Sequence, residues 1–284
     1  MDIKILQSTP PWEWPEAAGK TILKTLTDRQ AKQSDRLIAA ELAGDLVVMN
    51  DALAKALLAV LRSPDEAEKL RARAASSFGA VLEQTDIDGF DDPYADPPIT
   101  EDTFHTIQDS LQKLFLDAGT PKEVRRRVLE ASVRASGDWH ATAIAAAYSG
   151  GDRDWKLTAV FAMRWVRGFD DRILEALNSP DRDIHVEAVQ AAGNWALDAA
   201  WSHVVGIVND PGAPKRLLLA AIEAVGNIRP AEAGAVLADL VESGDEDIAE
   251  AVDEVMAMAE VASEDEDDED DEDDEEEDES DWAE

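Results

Sequence analysis

The heptapeptide Ala188-Val189-Gln190-Ala191-Ala192-Gly193-Asn194 returns 33 residues later as Ala221-Ile222-Glu223-Ala224-Val225-Gly226-Asn227. Upstream, the same order of two small residues, two variable ones, an apolar or small residue and Gly appears in Ala39-Ala40-Glu41-Leu42-Ala43-Gly44. It appears again 35 residues on, in Ala74-Ala75-Ser76-Ser77-Phe78-Gly79. Weaker copies with Gly replaced lie at Val128-Leu129-Glu130-Ala131-Ser132-Val133 and Ala159-Val160-Phe161-Ala162-Met163-Arg164. The copies end at 44, 79, 133, 164, 193 and 226, with spacings of 35, 54, 31, 29 and 33 residues. A period of roughly 30 is too long for a heptad and too short for a propeller blade, and it fits one helical hairpin per repeat.

In each hairpin the motif helix, whose Ala and Gly admit a neighbouring backbone, is expected to be followed by a second helix. These second helices are read at 45–62, 100–117, 171–178, 200–209 and 231–241. Leu53, Leu57, Val60 and Leu61 fall on one helical face, as do Leu111, Leu114 and Phe115, so stacking rather than propensity should hold such short helices. Ser63-Pro64-Asp65, Gly119-Thr120-Pro121 and Ser179-Pro180-Asp181 punctuate the units with helix stops and caps. Gly150-Gly151 reads as a helix-terminating turn. The 54-residue spacing holds an insertion at about 85–99, whose stretch 86–98 is too rich in Asp and Pro to be helical. Residues 1–34 form a capping segment in which Ile22, Leu23 and Leu26 cover the first repeat. A last helix placing Ile248, Val252, Val255 and Ala259 on one face closes the array, giving a repeat domain over 35–261. No segment reads as a strand.

These copies resemble HEAT repeats, in the short form of roughly 30 residues found in many bacterial proteins and in phycobilisome lyase-like families. The likeness covers roughly 35–261 and is clearest at Gly44, Gly79, Gly193 and Gly226. It implies an all-α fold, a right-handed α-solenoid of stacked antiparallel helix pairs with a concave, partner-holding surface. It carries no catalytic residue onto this chain. A metal-dependent HEAT hydroxylase of the deoxyhypusine type would show repeated His-Glu dipeptides, and the chain has none.

Charge limits the partners. The 284 residues carry 63 acids and 26 bases, a net of −37, and 18 of the acids lie in 264–284, leaving −19 in the body. That balance disfavours nucleic acid and anionic membranes. Glu264–Glu279 are sixteen consecutive acids, so 262–284 is expected to be a disordered acidic tail. No apolar run approaches the roughly 18–20 residues that span a bilayer, and the N-terminus has no signal pattern, so a cytoplasmic protein without membrane attachment is expected. With no Cys there is neither disulfide nor thiolate chemistry.

Catalytic candidates are scarce. His105, His140, His185 and His203 are scattered without metal-ligand spacing, and no nucleophile elbow, phosphate loop or dinucleotide fingerprint appears. The sequence therefore predicts no enzyme, no cofactor and no metal site. The informative stretch runs from Lys122 to Arg172, with ten bases against seven acids. Arg125, Arg126, Arg127 and Arg134, then Arg164 and Arg167, alternate with Trp139 and Trp155, a combination able to stack on bases or hold an acidic peptide. A competing reading makes the tryptophans inter-repeat core and pairs the arginines with neighbouring acids. The function expected is a non-enzymatic scaffold or adaptor binding proteins on the solenoid surface. The tail would modulate that binding, recruit basic partners or fold back on the basic stretch. The alternatives are a nucleic-acid role resembling the HEAT-like DNA glycosylases and an acidic chaperone for basic proteins.

Overall fold

The computed structural model describes residues 2–91 and 94–259. The expected acidic tail, 262–284, lies outside the described residues, as do positions 92 and 93 of the insertion. The described residues are helical without a strand, and they form two compact units divided between Thr158 and Ala159.

Unit 1 contains α1 (Ile3–Gln7), α2 (Ala18–Thr27), α3 (Gln33–Leu42), α4 (Asp51–Arg62), α5 (Glu68–Ser76), α6 (Gly79–Asp88), α7 (Glu101–Leu116), α8 (Lys122–Ser132), α9 (Trp139–Ser149) and the start of α10 (Arg153–Ala162). The motif helices α3, α5 and α8 stack on one another in one layer, and α2, α4 and α7 stack in a second. Each layer buries the face its sequence marks out. On α4 that face is Leu53, Leu57 and Leu61, and on α7 it is Phe104, Ile107, Leu111 and Phe115, at the three- and four-residue steps of a helical stripe. Between the layers α2 packs on α3, α4 on α5 and α7 on α8.

That pairing differs from the sequence expectation, because each motif helix packs closely on the helix before it rather than the helix after it. A recurring arginine supplies the physical reason. Arg36, Arg71 and Arg125, in the opening turns of α3, α5 and α8, donate Nε–H to the carbonyls of Leu26, Leu61 and Phe115 at 3.0, 2.9 and 2.8 Å. Each carbonyl belongs to the penultimate residue of the preceding helix, where no intrahelical donor remains. Arg36 also grips Glu66, the two guanidinium nitrogens meeting the two carboxylate oxygens at 2.7 and 2.8 Å.

Small motif residues set the stacking distance. A Cβ on Gly44 would lie 2.8 Å from the Ser77 carbonyl oxygen, so the α3 end and the α5 end meet backbone to backbone. The insertion is shorter than the sequence suggests: α6 runs through Asp88, and Gly89, at φ 66°, ends it. The chain returns at Thr100, whose N–H and hydroxyl both donate to the Asp51 carboxylate at 2.9 Å.

Unit 2 contains the remainder of α10, then α11 (Asp170–Ala176), α12 (Arg182–Asn194), α13 (Trp201–Val208), α14 (Lys215–Ile228), α15 (Pro230–Leu237) and α16, residues 246–259. Here α11 packs on α12 and α13 on α14, while α12 lies along α14. A Cβ on Gly193 would stand 2.8 Å from Ala224 Cα, and one on Gly226 would strike the Val255 side chain of α16. The quoted heptapeptide is therefore the contact seam of this unit.

Candidate functional site

Within unit 1 the ends of α7 and α8, the small-residue face of α9 and the start of α10 line an open cavity of about 540 Å³, a size that ordinary ligand sites share. Phe115 and Leu116 close the end of α7, Arg125 projects from α8, and Trp139 opens α9. Ala143, Ala146 and Ala147 recur at helical spacing, so α9 presents a wall of methyl groups. After Gly150, Gly151 at φ 72° lets the chain reverse. Asp152 then accepts the N–H groups of Asp154 and Trp155 at 3.0 and 3.1 Å, which fixes Trp155 in the first turn of α10 facing the cavity.

The aromatic rings interlock. Phe115 lies 5.1 Å from Trp139 and stands edge-on to Trp155 at 6.1 Å, within the range of favourable ring pairs. The Arg125 guanidinium lies 5.3 Å from the Phe115 ring centre and 5.6 Å from that of Trp155. Its Nε is bound to the Phe115 carbonyl, so the group that lines the cavity is held by stacking and one hydrogen bond. The Lys122 ammonium meets both Asp152 oxygens at 2.8 Å and holds that carboxyl below its usual range.

Beneath Trp139 the His140 ring stacks at 3.8 Å. Its Nδ1 lies 2.9 Å from the Gly137 nitrogen and 3.0 Å from the Gly137 carbonyl oxygen, and its Nε2 lies 2.9 Å from Ser132 Oγ. Burial pushes the imidazole pKa down to about 4, so it is a neutral support for the indole.

The arginines singled out in the sequence separate into different environments. Arg126 is buried at 7% exposure, held by Glu123 at 2.8 Å and Thr158 at 2.9 Å. Arg127 bridges Glu123 and Glu130 at 2.9 and 2.6 Å, and Arg134 pairs with Glu83 of α6. These three are spent on the protein's own carboxylates. Arg164 and Arg167 belong to unit 2, where Arg164 bonds Gln190 at 3.2 Å and Arg167 lies over Trp195 at 4.3 Å. Among the described residues Arg125 makes no ion pair with a carboxylate. Thus Arg125, Trp139 and Trp155 come together on one cavity, and the other five do not join them.

Sequence reasoning read Phe115 as core and passed over Leu116, which is 66% exposed at the cavity mouth. The available signal was register: Arg36, Arg71 and Arg125 each precede the last residue of a motif copy by eight positions. That register marks Arg125 as the counterpart of Arg36 and Arg71.

His185 and His203, on α12 and α13, bring their Nε2 atoms within 2.8 Å of each other. Burial is the main influence lowering both pKa values. Among the described residues no three His, Cys, Asp or Glu side chains are grouped to hold a metal ion, and no helix is long and apolar enough to cross a membrane.

No protein-family model matches the chain, and no curated protein matches it. Among solved structures it is similar to human deoxyhypusine hydroxylase in complex with glycerol. The identity is 15% and the TM-score 0.38, over 85% of this chain and 96% of that chain. The expectation that this chain is not an enzyme is corrected by that finding, since the protein of similar helical arrangement is itself an enzyme. A likeness of this degree transfers no activity and no residue role.

Proposed function

We propose that the chain is a protein-binding helical repeat, an adaptor or scaffold acting in the cytoplasm. It takes one apolar side chain of a partner into the cavity of Phe115, Trp139 and Trp155. The observation that carries this reading is the environment of Arg125, a half-buried guanidinium on an aromatic floor that makes no carboxylate ion pair among the described residues, although its charge helps hold the Asp117 carboxyl ionised. A partner segment that places an acidic group beside its apolar anchor satisfies both features at once. Charge distribution supports a protein rather than a nucleic acid as occupant. A phosphate track needs several uncompensated cations, whereas Arg126, Arg127 and Arg134 already have carboxylate partners. The acidic run 264–279 extends recognition by long-range charge.

Peptide display against the full chain tests the reading. Selected peptides are expected to share an aromatic or large aliphatic residue beside Asp or Glu, and to lose at least about tenfold in affinity on Trp155→Ala, the truncation of an interface anchor. Selected peptides of no common pattern, or equal affinity for Trp155→Ala, would refute it.

A further inference from the structure

Unit 2 carries a separate open groove of about 830 Å³ between α14 and α16. Its floor is apolar, built from Leu219 and Ala220 of α14 and from Ala251, Val255 and Met258 of α16. Met258 is 58% exposed and extends this apolar floor toward solvent. The lining positions recur at three- and four-residue steps on both helices, so two helical faces converge on the groove, with Gln190 and Pro230 at its margins. From 247 to 258 the lined part of α16 extends about 16 Å, roughly three helical turns.

The charged lining is acid-rich: Arg216, Glu223, Asp247, Glu250 and Glu254, with Arg216 the one base among these five. Glu223, Glu250 and Glu254 make no ion pair among the described residues. The basic groups nearby are already engaged: Arg216 meets Asp183 and Glu187 at 3.3 and 3.0 Å, and Lys215 holds Asp245 at 2.6 Å. The chain's own next residues do not suit the groove. Beyond α16 they supply Val261 and Ala262 and then sixteen acids, a segment repelled by the acid-rich lining and without an apolar face.

We infer that the α14–α16 groove is a docking site for a basic amphipathic helix of a partner protein. The helix lays its apolar face on Leu219, Ala251 and Met258 and sets Lys or Arg against Glu223, Glu250 and Glu254, a helix-in-groove mode of recognition. The site is independent of the aromatic cavity. It places recognition of a basic partner on a folded surface, with the neighbouring acidic run raising the local concentration of cations.

The probe is a synthetic helix of about four turns, Leu on one face and Lys on the other, titrated into the full chain by fluorescence anisotropy. Its control is a scrambled peptide of the same composition. The amphipathic probe is expected to bind at least about tenfold more tightly than the scrambled one. Glu223→Gln/Glu250→Gln/Glu254→Gln should remove most of that advantage at low salt, and Met258→Asp, at an exposed position, should weaken it further. A photoreactive group on the probe's Leu face should crosslink to α14 or α16. Equal binding of both peptides would mean that the acidic run alone attracts them, and would overturn the inference. So would tighter binding of a Leu/Glu helix, crosslinks confined to other helices, or no binding of either peptide because self-association buries the groove.

Discussion

Arg125 and its equivalents show how one residue type serves two ends. In Arg36 and Arg71 the guanidinium caps the helix before it and is buried, whereas Arg125, with the same bond, lines a cavity. The position was legible in the sequence as the eighth residue before 44, 79 and 133. What it bonded was not, because a hydrogen bond to a carbonyl ten residues upstream leaves no compositional mark. His140 was likewise visible only as an isolated histidine. Its buried ring, stacked on Trp139, stays neutral down to about pH 4 against an ordinary value of 6.5. The unfolded chain therefore binds the extra proton between those values, and stability falls as pH drops from about 6.5 to 4 and then levels off. A shift of that size corresponds to roughly 3 kcal/mol. Urea midpoints of the wild type should decline across that window more steeply than those of His140→Gln, and parallel declines would show that His140 is not the group responsible.

Helices were the easier scale to read. The second helices expected at 100–117, 171–178 and 200–209 match α7, α11 and α13 to within about two residues, the usual uncertainty of helix ends. The closing helix buries Val252 and Val255 as its stripe required. The partners of α3, α5 and α8 differ from the expectation, because a repeat period fixes the alternation of helices but not which neighbour is closer, whereas α14 packs on both its neighbours. The Asp-rich start of the insertion is helical through Asp88 because Val81, Leu82 and Thr85 bury one face of α6, a tertiary gain that outweighs local propensity. The motif glycines make a sharp prediction. At Gly193 a methyl group would meet Ala224 backbone at 2.8 Å, whereas at Gly206 it would meet nothing within 4 Å. Gly193→Ala should lower stability by about 1–3 kcal/mol as α12 is pushed from α14. Gly206→Ala, in the exposed face of α13, should raise it by about 0.5–1 kcal/mol. Thermal unfolding of the two variants decides between contact and propensity as the reason for glycine at these places.

On the scale of the molecule, charge and shape are distributed rather than uniform. The body is acidic by −19 outside the tail, yet unit 1 gathers aromatic rings and the Arg125 guanidinium around a cavity, and unit 2 presents an apolar groove with an acid-rich lining. The sequence disclosed the excess of bases at 122–172 but not their fate, since ion pairs such as Lys122 with Asp152, thirty residues apart, arise only when successive repeats stack. In the proposed adaptor role the two surfaces would take partners of opposite charge. The claim on which that role rests is that the cavity of Phe115, Trp139 and Trp155 admits an apolar group bearing a carboxylate. Calorimetric titration of the full chain with 3-(indol-3-yl)propionate measures this directly. At the roughly 0.3 kcal/mol per heavy atom of drug-sized ligands, a Kd of about 1 mM is expected. Binding should be saturable in the wild type and abolished in Ala146→Trp, whose exposed new side chain fills the cavity. Absence of saturable heat in the wild type, or unchanged binding to Ala146→Trp, would contradict the account.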